Sequence, residues 1–261
     1  RPLSLQLISD HPTIELLASA LGAPLALPGI LQALGSNTGA TPLFLAASGR
    51  GDVLRFQTLA NALGGAFDVY MLQPPIENAP TTPQALGELY ADGISALGLA
   101  PGWLSGFSVA GIAALETVRA LQLREEPPQG LVLLDTIHPD AALGGGRSWR
   151  ILGRLVRWLY IEELSMNGRR LGAVFSDPGL LVQVLALSGY RCKGVNGPVL
   201  LIKSVGLGKW NWLFFRRWRS PLPQIEMTEV PGLHGSIFDA ARVGAMVLAI
   251  RRFTEANPAK A

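Results

Sequence analysis

The sequence predicts an α/β fold, a mostly parallel sheet covered by helices on both faces. Three observations predict it. Short, continuously apolar runs such as Leu131-Val132-Leu133-Leu134 recur along the chain, and strands of that texture are buried on both sides. Stretches of helical length and period separate those runs, the alternation that builds a parallel sheet. A serine flanked by glycines, in Gly106-Phe107-Ser108-Val109-Ala110-Gly111, stands between one apolar run and one helical pattern.

Taken in order, residues 3–21 read as a helix with Ile8, Ile14, Leu17 and Leu21 on its apolar side. Pro24, Pro28, Gly29, Gly35 and Gly39 mark residues 23–41 as a linker, holding a short Leu-rich helix at 30–34. The wider Leu-rich segment 25–34 is a candidate dimerisation helix, and so a candidate homodimer contact. The alternation starts at Pro42. It runs as strand 43–47, helix 53–63, strand 67–72, helix 83–97, strand 102–106, helix 109–121 and strand 130–134. Strands 199–202 and 225–230 and a closing helix at 236–253 complete it. Residues 139–197 break the pattern, contain Gly144-Gly145-Gly146, and are expected to form a helical lid. Such an insertion sits over the C-terminal strand ends, where open α/β sheets bind ligands. The domain expected from this pattern spans 42–257.

Composition narrows the classes. The chain has 261 residues, 49% of them hydrophobic and 16% charged, with mean hydropathy +0.30, enough apolar mass for one large core. No run of about 18 apolar residues suggests a membrane span, and the first residues lack the pattern of a secretory signal. The single cysteine, Cys192, offers neither an internal disulfide nor a metal cluster, so a reducing cytoplasm is expected, with no metal site. A net charge of +3 is far below the charge density of a nucleic-acid-binding surface.

The serine motif carries the chemistry. Gly-x-Ser-x-small between strand and helix forces a tight turn that lifts the serine hydroxyl above the sheet as a nucleophile elbow, although the last small residue is Ala110 rather than glycine. A serine hydroxyl needs a base, and a histidine base needs an orienting carboxylate. Of the three histidines, His11 lies before the sheet and His138 just after a strand. His234, after the last strand in Val230-Pro231-Gly232-Leu233-His234, is the base by position. From Lys203 to Gln224 there is no Asp or Glu, so the carboxylate falls to Asp135, at the end of the strand after the elbow. Two backbone N–H groups should form an oxyanion hole. Val109 supplies one; Ala47, after the first strand, supplies the other, with Ser48 as the alternative.

Together Gly106-Phe107-Ser108-Val109-Ala110-Gly111, Leu133-Leu134-Asp135-Thr136 and Val230-Pro231-Gly232-Leu233-His234 resemble the chain-terminating thioesterase domains of polyketide synthases and nonribosomal peptide synthetases. The resemblance runs from Pro42 to about Phe253 and implies the α/β-hydrolase fold. It implies a chain-releasing thioesterase, in which an acyl group passes from carrier phosphopantetheine to Ser108 and leaves by hydrolysis or cyclisation. No cofactor of the chain's own is implied; the phosphopantetheine belongs to an acyl or peptidyl carrier domain upstream in the same polypeptide. Ser9-Asp10-His11-Pro12-Thr13-Ile14 resembles the end of such a carrier domain, so residues 1–22 are expected to be its C-terminal remnant. Phe107, His138 and Trp210 are expected substrate contacts. Arg147, Arg150, Arg154 and Arg157 fall on one helical face, either solvated or a carrier-docking surface. The aromatic and basic run 209–219 is expected to line an acyl chamber, with membrane-surface contact as the rival. Competing readings of the whole chain are a stand-alone esterase or lipase and a catalytically inactive carrier-docking module.

Overall fold

The computed structural model describes residues 29–35, 38–47, 52–75, 79–136, 138–139, 187, 190–205 and 215–258. The expected carrier remnant, most of the lid, the four-arginine face and Trp210 lie outside the described residues.

Among the described residues seven strands form one sheet: β1 (Leu31–Ala33), β2 (Thr41–Ala46), β3 (Phe67–Leu72), β4 (Trp103–Phe107), β5 (Gly130–Leu134), β6 (Val199–Ser204) and β7 (Ile225–Val230). Their spatial order is β1-β3-β2-β4-β5-β6-β7. Only β1 is antiparallel, pairing Leu31 with Leu72 and Ala33 with Tyr70; every other pairing is parallel. The strands β4, β5 and β6 are buried along their whole length, as strands covered on both faces are, even where Ser105 in β4 and Lys203 and Ser204 in β6 interrupt the apolar run.

Helices α1 (Asp52–Leu63), α2 (Pro83–Ser95), α3 (Ala110–Leu123) and α4 (Val243–Ala256) cover the two faces. α2 starts where expected for a local reason. Thr82 accepts the Ala85 N–H at 3.2 Å and Pro83 opens the first turn, a position that needs no donor. Tyr90, Leu104, Leu115, Leu133 and Trp218 belong to the core on the α2–α3 side. Phe56, Trp103, Phe107, Phe238 and Ile250 belong to the core on the α1–α4 side. Among the described residues no helix is long and apolar enough to cross a membrane.

Two elements differ from expectation. The helix expected at 30–34 is strand β1, so part of the expected linker belongs to the sheet. Gly29 and Gly35 bracket a run too short to nucleate a helix, and pairing with β3 buries Leu31 instead. Asp68 secures the following residues, accepting Thr38 N–H at 2.8 Å and Gly39 N–H at 2.9 Å. The closing helix expected at 236–253 is broken. A 3-10 turn, Ser236–Phe238, stops at Asp239, which turns extended (ψ 142°), and α4 begins only at Val243. Arg242 donates its backbone N–H to the Asp239 carbonyl at 2.7 Å and its guanidinium to the carboxylate at 2.6 Å, holding the break.

Because β2 and β4 to β7 are parallel, their C-terminal ends share one edge of the sheet. Ala47, Ser108, Asp135, Ser204 and His234 all stand at that edge, at or within four residues of a strand end.

Candidate active site

Ser108 follows β4 with φ at 56°, a left-handed conformation that costs a non-glycine residue about 1–3 kcal/mol. Its surroundings hold it there. The Ser108 N–H donates to the Leu134 carbonyl at 2.9 Å, and the Gly111 N–H to the Ser108 carbonyl at 3.2 Å. A Cβ on Gly106 would stand 2.6 Å from the Ala110 carbonyl oxygen, and one on Gly111 only 2.1 Å from Thr136 Oγ1. Glycine is therefore required at 106 and 111, whereas position 110, the imperfect member of the motif, accepts the methyl of a buried Ala110.

His234 Nε2 lies 2.9 Å from Ser108 Oγ, and His234 Nδ1 lies 2.7 Å from Asp135 Oδ2. With Nδ1–H donating to the carboxylate, Nε2 presents its lone pair to the serine hydroxyl, the tautomer a general base needs. Gly232, at φ 123°, turns the chain out of β7 towards the histidine. Ser236 clamps the loop, its Oγ accepting the Leu233 N–H at 2.8 Å. Asp135 also has a left-handed backbone (φ 47°) and no solvent exposure. Its carboxylate accepts the Ser204 N–H at 2.8 Å through Oδ1, and the Ser204 hydroxyl at 2.9 Å through Oδ2. Each oxygen thus has a donor, as a buried carboxylate requires. The next residue is held as firmly. Trp218 Nε1–H donates to the Thr136 carbonyl at 2.8 Å, and Thr136 Oγ1–H donates to the Gly106 carbonyl at 3.3 Å.

The oxyanion expectation divides. Val109 stands at the N-terminus of α3, where N–H groups point out of the helix and favour negative charge. Ala47 does not fit. Its N–H is engaged with the Leu72 carbonyl at 2.9 Å, extending the β2–β3 ladder. It cannot also serve an oxyanion, and the alternative, Ser48, lies outside the described residues.

Phe107 and His138, expected to touch substrate, are buried among aromatic rings instead. Phe107 stacks on the His234 imidazole with centroids 4.5 Å apart and meets Phe238 edge-on at 4.9 Å. Its ring lies against the base. His138 packs edge-on against Trp218 at 4.9 Å. Sequence reasoning missed the supporting roles of Ser204 and Thr136, and placed Trp218, within run 209–219, in an acyl-chamber wall, whereas its wholly buried indole holds the Thr136 carbonyl. One signal pointed towards such partners: an acid placed at a buried strand end needs donors from the next strand.

Comparison with known proteins gives a consistent picture. The family model described as Thioesterase domain matches residues 41–152. The chain is 36% identical over 107 residues to the spectinabilin polyketide synthase system protein NorC of Streptomyces orinoci; the match takes in 39% of this chain and 5% of that protein. The chain thus spans only a small part of the length of that relative. Among solved structures, the NocB thioesterase domain, in covalent complex with a fluorophosphonate nocardicin G analogue, is similar at 24% identity with a TM-score of 0.68, covering 86% of this chain and 99% of that one. YbtT, the type II thioesterase of the yersiniabactin NRPS/PKS pathway, is similar at 20% identity with a TM-score of 0.65, covering 88% and 100%.

Proposed function

We propose that this chain is a serine thioesterase domain, related to those of polyketide and nonribosomal peptide biosynthesis, which releases a finished acyl chain from a carrier domain through Ser108, His234 and Asp135. The observation that carries the proposal is the line of two contacts, Ser108 Oγ to His234 Nε2 at 2.9 Å and His234 Nδ1 to Asp135 Oδ2 at 2.7 Å. His234 takes the hydroxyl proton as Ser108 attacks the thioester carbonyl. The Val109 N–H, with a second donor from the segment after Ala47, holds the oxyanion. Collapse breaks the C–S bond, and His234 returns the proton to the departing pantetheine thiol. Asp135 orients the imidazole throughout and stabilises its cation. The acyl-serine ester is then attacked by water, giving an acid, or by a hydroxyl or amine of the acyl chain, giving a lactone or lactam. His234 activates either nucleophile.

The same proposal assigns residues 1–22 to the tail of a carrier domain, with the hydrolase domain beginning at or before β1. The partner is then an acyl or peptidyl carrier domain whose phosphopantetheine arm delivers the substrate. A cytoplasmic location goes with that partner.

Two measurements test the reading. Wild-type protein is offered acyl-pantetheine thioesters, with and without an internal hydroxyl, and matched simple esters; products are analysed by mass. Preference for thioesters supports the proposal, and far faster turnover of the simple esters favours a stand-alone esterase. Ser108→Ala is expected to abolish release and covalent labelling by an alkyl fluorophosphonate; release at the wild-type rate from that variant would falsify the mechanism.

A further inference from the structure

The carboxylate of Asp135 is held through a residue outside the triad. β5 and β6 pair through Leu134 and Ile202, after which the Asp135 N–H donates to the Ile202 carbonyl at 2.7 Å. β5 then stops, while β6 runs on through Lys203 to Ser204. The Ser204 N–H turns to the Asp135 side chain, 2.8 Å from Oδ1, and the Ser204 hydroxyl reaches Oδ2 at 2.9 Å. Oδ2 is also the oxygen that takes the His234 Nδ1–H. Both Ser204 and Asp135 are wholly buried, so no water from outside replaces a lost donor without rearrangement.

From this geometry we infer that Ser204 is a positioning residue for the triad. Its backbone N–H and hydroxyl grip the two carboxylate oxygens separately and set the rotation of the carboxylate about its Cβ–Cγ bond. That rotation decides where Oδ2 lies relative to His234 Nδ1, and hence whether Nε2 is aimed at Ser108. The backbone bond survives any substitution; the hydroxyl bond is the part a variant can remove. Without it, the carboxylate is held at one oxygen and by the histidine alone. Ser204 touches neither substrate nor a reacting atom, so its whole effect passes through Asp135. The inference therefore rests on the triad reading above.

The test is the second-order rate at which an alkyl fluorophosphonate labels Ser108, which reads the serine's nucleophilicity whatever the natural acyl chain. Ser204→Ala and Ser204→Val are expected to label about tenfold more slowly, the worth of one hydrogen bond to a charged group. Ser204→Thr restores the hydroxyl and is expected to recover most of that loss, although it matches valine in volume. In an Asp135→Asn background, Ser204→Ala is expected to cost nothing further, because coupled residues are non-additive. Equal rates for the Thr and Val variants, or the full tenfold cost persisting in the Asp135→Asn background, overturn the role of Ser204. Melting temperatures taken alongside separate a folding defect from a change at the site. If Asp135→Asn alone leaves labelling unchanged, the triad reading itself has failed, an outcome distinct from a silent Ser204→Ala.

Discussion

Ser108 and Asp135 share a device: each is the first residue beyond a buried strand, and each turns left-handed at φ 56° and 47°. The turn takes the side chain out of the pleat and up from the sheet edge, which no residue inside a strand can do. The cost is met by contacts that leave no slack, of which the closest is Gly111 against Thr136. A methyl at 111 would sit 2.1 Å from Thr136 Oγ1, and Thr136 cannot retreat from the Gly106 carbonyl and Trp218 without disturbing Asp135. Gly111→Ala is therefore expected to destabilise the fold by about 1–3 kcal/mol through overpacking and to slow fluorophosphonate labelling as well. Thermal melts and labelling rates check the two effects; a variant with normal labelling would show that the elbow does not depend on this contact. Asp135→Asn is expected to lower kcat by about four orders of magnitude while leaving the fold intact, because the amide favours the wrong histidine tautomer. Steady-state kinetics with an acyl-pantetheine thioester measure it. At this scale much was legible. Ser108 is named by its motif, His234 by position and elimination, and Asp135 by the absence of any acid from Lys203 to Gln224; the structure brings the three within hydrogen-bond reach. Ala47 shows where legibility ended. Its N–H is engaged by a ladder bond to Leu72, and side-chain identity carries no trace of which main-chain partner a residue finds.

Elements were legible in proportion to their length. The parallel strands and α1 to α3 lie within a few residues of expectation because apolar runs and helical periods mark them, with Thr82 and Pro83 adding a start signal to α2. β1, only three residues long, has no period to read and is decided by the open edge of β3. The break before α4 is decided by Asp239 and Arg242, a local pair inside an otherwise continuous helical pattern. One contact ties α3 to the segment that leads back from the insertion into β6. Tyr190 donates its hydroxyl to Glu116, a buried carboxylate on α3, at 2.5 Å, and Arg119 pairs with the same group at 3.1 Å. Burial and the neighbouring Glu116 push the Tyr190 phenol far above its ordinary value of 10.0. The folded chain keeps this proton where the unfolded chain loses it, so the contact stabilises fully below pH 10 and stability falls as pH rises beyond it. Tyr190→Phe is expected to cost about 1–3 kcal/mol at neutral pH by removing a partner of a buried charge, and to make the alkaline decline shallower. Urea denaturation at neutral and alkaline pH reads both; an unchanged midpoint contradicts the first.

At the scale of the whole molecule, the sheet has two unlike margins. On one side β7 closes against the helix that follows it; on the other, β1 folds back antiparallel and takes the hydrogen bonds that β3 would otherwise expose. The matched family model begins at residue 41, after β1, so a chain trimmed to that boundary would leave β3 as an unprotected edge, a template for association. Removing residues 1–37 is expected to lower Tm by about 2–4 °C for each kcal/mol of β1 packing lost, and to promote aggregation. Calorimetry and light scattering on the trimmed and full chains would show it, and equal melting temperatures would mean that β1 is ornamental. The expected carrier remnant and most of the lid fall outside the described residues; a short motif carries the first expectation and a break in the alternation the second. Fold class, by contrast, was legible throughout, since alternation of buried strands with helices is a property of the entire chain and survives local errors.

The position of Asp135 just beyond β5, next to the strand that leads into the nucleophile, has a consequence for what can change. The end of β6 and the stretch that follows it contain no carboxylate from Lys203 to Gln224, so they supply no acid to the site. Such a loop can be rewritten, lengthened or grafted from a relative while the acceptor keeps its working parts, provided Ser204 at its root and Trp218, which holds the Thr136 carbonyl, are kept. Novelty in what the site accepts can then accumulate on one side of it without a change in the triad.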